Sequence, residues 1–167
     1  MGIFSLVFQI GSMSEPTDEE AKEFMKEFET LVADIDSIGI FLHNTSLALP
    51  MFIPGFGVAW GLFSSWSTGF AFSTIVSQAP ELAAIPPLAI LYLSPFGIME
   101  LVAYSLAISR SFILITMISK KQNLSQSIKP TIIEIGIVVG LLLAGGFLEF
   151  YMIDMVKNEE FDMPGLT

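Results

Sequence analysis

Between Ile38 and Ile153 the chain is almost continuously apolar. A run of that length reads as about four crossings of a bilayer at ~20 residues each. Hydrocarbon offers no partner for backbone N–H and C=O groups, so each crossing must satisfy its own backbone as a helix. The expected class is all-α, a polytopic membrane helix bundle. Composition agrees where it bears on this: only 14% of the 167 residues are charged, against roughly 25% in soluble domains.

The spans read as 38–63, 67–93, 96–119 and 130–153. The last two are uninterrupted. The first holds Pro50, Pro54, Gly55, Gly57 and Gly61, and the second is broken at Ser77-Gln78-Ala79-Pro80-Glu81 and at Pro86-Pro87. Both are expected to be kinked or broken, with the second either spanning or re-entrant and its freed backbone buried in protein or facing a cavity. Trp60, Trp66 and Tyr151 fall near the expected span ends, where interfacial aromatics sit.

Three segments follow: 1–37, carrying an amphipathic helix; the transmembrane bundle 38–153; and an acidic tail, 154–167. Residues 15–36 hold nine acids against Lys22 and Lys26. Thr17-Asp18-Glu19-Glu20 fits a capping box behind Pro16, and Ala21, Phe24, Met25, Phe28, Leu31, Val32, Ile35 and Ile38 keep the spacing of one helical face. An acidic outer face is ordinarily just solvated; beyond that, it suits docking on a protein better than lying on anionic headgroups. Met1 to Ile10 is apolar but too short to span, and it lacks the basic flank of a signal peptide. The net charge of −10 argues against a nucleic-acid partner and against adhesion to anionic lipid. The absence of cysteine excludes disulfides, thiolate metal sites and a cysteine nucleophile. Lys120, Lys121 and Lys129 cluster between the third and fourth spans, so the 120–129 loop is expected in the cytoplasm of a multi-pass cell-membrane protein. Four spans then leave the carboxyl terminus outside; a re-entrant second segment would move only the amino terminus.

Ionisable groups inside hydrocarbon are costly and mark candidate sites. Counted by rise per residue, His43, Asn44, Glu100 and Glu149 share one layer roughly 6–9 Å below the outer boundary, and are expected to form a buried polar network. A divalent metal on His43, Glu100 and Glu149 is the sharper alternative, although their spacing is no metal motif. A proton or substrate path is the third reading of that layer. Arg110, near the middle of the third span, is expected to pair with Glu134. Gly136, Gly140 and Ala144 form a small-xxx-small ridge for helix packing, against a neighbour inside or outside the chain.

The ordered elements Phe41-Leu42-His43-Asn44, Thr68-Gly69, Pro95-Phe96-Gly97-Ile98-Met99-Glu100 and Gly146-Phe147-Leu148-Glu149 resemble the landmarks of the stage II sporulation protein M family of multi-pass membrane proteins. There an Asn pair, an Asn-Gly, a Pro-His-Gly-x-x-Glu and a terminal Glu recur in that order. The likeness covers about residues 38–153 and implies that Asn44, Gly69, Pro95, Gly97, Glu100 and Glu149 are landmark positions. His43, Thr68 and Phe96 depart from the pattern, which removes the family's own His. The resemblance implies an architecture, and relatives in spore-forming bacteria are similar to components of a membrane-remodelling complex.

Three functional classes follow. The favoured one is a non-catalytic subunit, with no cofactor, that packs among other integral membrane subunits as a hetero-oligomer in the lipid bilayer. A small, acidic, cysteine-free chain of archaeal character would fit as an accessory subunit of the archaeal copper-dependent ammonia monooxygenase. Broken helices and buried acids also suit a transporter or channel component. An independent enzyme is least supported, because one His and scattered carboxylates make no triad, metal motif or phosphate loop.

Overall fold

The computed structural model describes residues 1–32, 35–79 and 83–161. Among these lie seven α-helices and no strand: α1 (Gly2–Ser12), α2 (Asp18–Val32), α3 (Ser37–Ala48), α4 (Phe56–Gln78), α5 (Pro87–Leu93), α6 (Pro95–Ser119) and α7 (Ser125–Phe161). A 3₁₀ turn at Leu49–Phe52 continues α3.

Local chemistry sets these boundaries. At α2 the Thr17 N–H donates to Glu20 Oε2 (2.9 Å) and the Glu20 N–H to Thr17 Oγ1 (3.3 Å), a reciprocal capping box. Those backbone and side-chain bonds from Thr17 hold the Glu20 carboxyl below its ordinary value. Asp36 Oδ1 accepts from the Gly39 N–H at 2.7 Å and opens α3. Pro95 occupies the first turn of α6, where its missing N–H costs nothing, and Ser94 Oγ accepts from the Gly97 N–H at 3.1 Å.

Two helices are long and apolar enough to cross a membrane, α6 and the Ser125–Met155 part of α7. They pack extensively on each other. Along α6, Asn44 meets Glu100, the Ile53 carbonyl meets Ser111 and Gly55 meets Ile115. The α3 and 3₁₀ segment therefore runs parallel to α6. Gly55, at φ 78°, then reverses the chain, a backbone state that costs glycine little. From there α4 returns antiparallel to α6, with Gly61 against Ile108. The core joins Phe4, Met51, Phe52, Leu101, Tyr104, Val138 and Leu142.

This corrects the expected first and second spans. Pro54-Gly55 is the turn between them rather than a kink within 38–63, so one helix runs through the expected boundary at 64–66 and ends at Gln78. Trp66 consequently lies in the middle of α4 and not at a span end, whereas Trp60 stays within about one turn of the start of α4. Of the expected break, Ser77 and Gln78 close α4, whereas Pro80 and Glu81 lie outside the described residues. The amphipathic helix stops at Val32, and α3 starts afresh at Ser37. Its Ala21 is buried and Phe24 stacks on Phe28, whereas Asp34 and residues 162–167 of the tail lie outside the described residues.

The short α1 is part of the packed unit. It lies on α4 at glycine contacts: a Cβ on Gly11 would sit 3.0 Å from the Phe70 nitrogen, and one on Gly69 would sit 2.8 Å from the Ser12 nitrogen. Ser65 Oγ donates to the Phe4 carbonyl at 2.6 Å. Small residues on both sides let the two backbones touch.

Candidate functional site

Of the expected polar layer, Asn44 and Glu100 pair where α3 and α6 meet, beside α7. The Asn44 side chain is buried, and its Nδ2 donates to Glu100 Oε1 at 2.6 Å. Glu149 stands on α7 three residues beyond Gly146, where α7 closes on the backbone of α3. His43 is exposed on α3, one residue from Asn44 and so about 100° around the helix. It does not face Glu100. Among the described residues no three His, Asp or Glu side chains gather as a metal-binding group, so His43, Glu100 and Glu149 are not one ligand set.

Local backbone explains why these residues reach the layer. Ser94 Oγ donates to the Ile90 carbonyl at 2.6 Å while capping α6, which locks the α5–α6 corner. At Gly97 a Cβ would lie 2.6 Å from the Ile90 oxygen and 3.1 Å from the Leu91 oxygen, so the corner closes only on glycine. Glu100 follows within the next turn and is thereby aimed at α3. On α7, Gly146 brings the backbone of α3 close, with a Cβ there 3.1 Å from the Phe41 nitrogen and the Ser37 oxygen. Pro95 and Gly97 thus place Glu100 against Asn44, and Gly146 sets how closely α7 approaches α3 three residues before Glu149.

A second polar contact lies deeper. Arg110 is buried and Glu134 half-buried, and the guanidinium donates from Nε to Glu134 Oε2 at 2.6 Å and from Nη2 to Glu134 Oε1. This two-pronged fork ties α6 to α7. Gly136 and Gly140 are exposed with nothing within 4 Å of a built Cβ, and Ala144 is exposed as well. No helix of the described chain covers this ridge.

Some participants left no sequence signal. Tyr104 stands one turn beyond Glu100, buried and stacked on Phe4 of α1 at 5.8 Å. Its i+4 spacing from Glu100 is the only trace, and it is equally that of a core residue. The Ser5 hydroxyl lies 2.7 Å from that of Tyr92 and ties α1 to α5. A cavity of about 430 Å³ lies elsewhere, lined by Ser12, Glu15, Phe72, Ser77, Ile85 and Pro87 among others.

A protein-family model described as Stage II sporulation protein M matches residues 1–152. The match takes in α1 and α2 as well as residues 38–152 of the apolar stretch. No curated protein and no solved structure matches the chain.

Proposed function

Because this chain belongs to the stage II sporulation protein M family, we propose that it is a non-catalytic integral membrane subunit that packs into and stabilises a larger membrane complex. The observation that carries this reading is how the intramembrane polar groups are used. Arg110 is engaged by Glu134, and Glu100 by Asn44. Each contact joins two helices, so the costly groups position helices against one another. On this reading the α3 and α4 segments cross the bilayer alongside α6 and α7, the 120–129 loop is cytoplasmic and the carboxyl terminus is outside. Lys120, Lys121 and Lys129 support that orientation. Partners are other integral membrane subunits, and the acidic outer face of α2 is available to one of them.

A place in the archaeal ammonia monooxygenase is the finer form of the proposal, supported only by small size, acidity and lack of cysteine. Both forms meet the same experiment: mild detergent extraction from the native membrane, followed by identification of co-migrating chains. Stoichiometric partners are expected, and copper-enzyme subunits among them would support the finer form. A chain that runs with no other polypeptide would overturn the subunit reading.

A further inference from the structure

The cavity of about 430 Å³ lies at one end of the bundle, between the close of α1, the last two turns of α4 and the start of α5. Because α4 runs antiparallel to α6, this is the end at which α6 begins, opposite the lysine loop. Its size is that of a small-molecule site. Three of its hydroxyls are oriented by their own helices. Ser12 Oγ donates to the Gln9 carbonyl at 2.8 Å, Ser73 Oγ to the Phe70 carbonyl at 2.8 Å and Ser77 Oγ to the Thr74 carbonyl at 2.7 Å. A hydroxyl has one proton and two lone pairs, so with the proton spent on the helix each oxygen is left as an acceptor.

Glu15 adds a carboxylate to the same lining. Among the described residues it has neither a counter-ion nor a hydrogen-bond donor. The donors nearest in sequence are missing or committed: Pro16 has no N–H, and the N–H and hydroxyl of Thr17 both go to Glu20. Phe72 and Val76 contribute apolar wall. We propose that this cavity binds a primary organic ammonium, with its N–H groups on Glu15 and the serine oxygens and its carbon body on Phe72 and Val76.

An ammonium brings donors and no acceptor, the complement of a lining rich in acceptors. A carboxylate or phosphate ligand would meet Glu15 as a like charge. A bare metal ion needs oxygen ligands on every side, whereas this lining is part hydrocarbon, and among the described residues no three His, Asp or Glu side chains gather. The net charge of −10 raises the local concentration of cations. The ammonium can arrive as a free amine or as the ethanolamine headgroup of a lipid, since on the membrane reading above this end of the bundle lies at the bilayer surface. The site itself requires neither that orientation nor any partner subunit.

The full-length chain, with any polypeptide that co-purifies, is placed in phosphatidylcholine nanodiscs and titrated with phenethylammonium, phenethyl alcohol and phenylacetate, empty discs giving the partitioning background. Saturable binding of phenethylammonium is expected, about tenfold or more tighter than that of the alcohol, with none of phenylacetate. Glu15 is exposed, so the fold tolerates Glu15→Gln, which should remove the preference for the ammonium over the alcohol. Glu19→Gln, an equal loss of charge outside the lining, should leave it intact. Ser73→Leu fills the cavity and should remove binding of both. Weaker binding of phenethylammonium in discs containing phosphatidylethanolamine would identify the lipid headgroup as the source of the ammonium, and unchanged binding a free amine; both uphold the site. Equal affinity for ammonium and alcohol, a preference that survives Glu15→Gln, or binding that survives Ser73→Leu would overturn the proposal. Co-purifying partners are counted on the same samples, so failure of this site and failure of the subunit reading are told apart.

Discussion

Replacing Glu134 by Gln would strip the charge from the contact joining α6 to α7. Arg110 is 8% exposed and the Glu134 side chain 20%, and two parallel bonds join them. Gln keeps the size but presents one oxygen and no charge, so the guanidinium loses a prong and its counter-ion. Breaking a buried pair costs ~3–5 kcal/mol. The residual exposure of Glu134 places the expectation at the lower end, about 3 kcal/mol. Arg110→Met with Glu134→Gln removes the stranded cation and should recover at least half of the loss, a coupling of roughly 1.5 kcal/mol or more between touching residues. Arg110→Lys keeps the charge but not the fork and should fall between wild type and Glu134→Gln. Unfolding of the purified chain in mixed micelles, followed through Trp60 and Trp66, measures all four. Equal destabilisation by the single and double variants would refute the pairing as a source of stability.

Other outcomes follow from the same geometry. Glu100→Gln retains an oxygen for the Asn44 donor and should shift the unfolding midpoint little, whereas Glu100→Leu leaves that donor unpaired and should cost about 1–3 kcal/mol. Gly146→Leu pushes a side chain into the α3 backbone, which is 3.1 Å away, and should cost about 1–3 kcal/mol or more; Gly136→Leu, facing open space, should leave the same detergent-measured midpoint within about 0.5 kcal/mol. Ser94→Ala removes the cap of α6 and should cost about 1 kcal/mol, read in the same unfolding assay. The Glu20 carboxyl is held below its ordinary value in the folded chain, so its capping contribution is present above that value and is lost as pH falls through the lowered one. The protection factors of the amides at the start of α2, taken relative to the intrinsic exchange rate at each pH, should therefore fall on acidification, and Glu20→Gln should abolish that fall.

The helical class, the Arg110 and Glu134 positions and the capping box were legible because each has a local or one-dimensional signature. Apolar length, rise per residue and a three-residue spacing need no knowledge of the fold. The turn at Gly55 was not. Pro-Gly within an apolar run reads equally as a kink or a reversal, and only packing against Ile115 decides. His43 was misplaced for a related reason. Depth along a helix can be counted, but facing cannot, and one residue of offset turns the imidazole about 100° away from Glu100. The role of α1 was hidden because Gly11 and Gly69 are far apart in sequence, and neither glycine announces the other as its contact.

The central claim is that α6 and α7 form a membrane-spanning hairpin with its lysine loop in the cytoplasm. Single thiols at Leu93, 81% exposed just before α6, and at Gln122, exposed in the loop after it, test this against a membrane-impermeant maleimide. Leu93→Cys should be labelled on intact cells and Gln122→Cys only after the membrane is opened. Labelling of both on intact cells, or release of the chain by an alkaline wash, would contradict the claim.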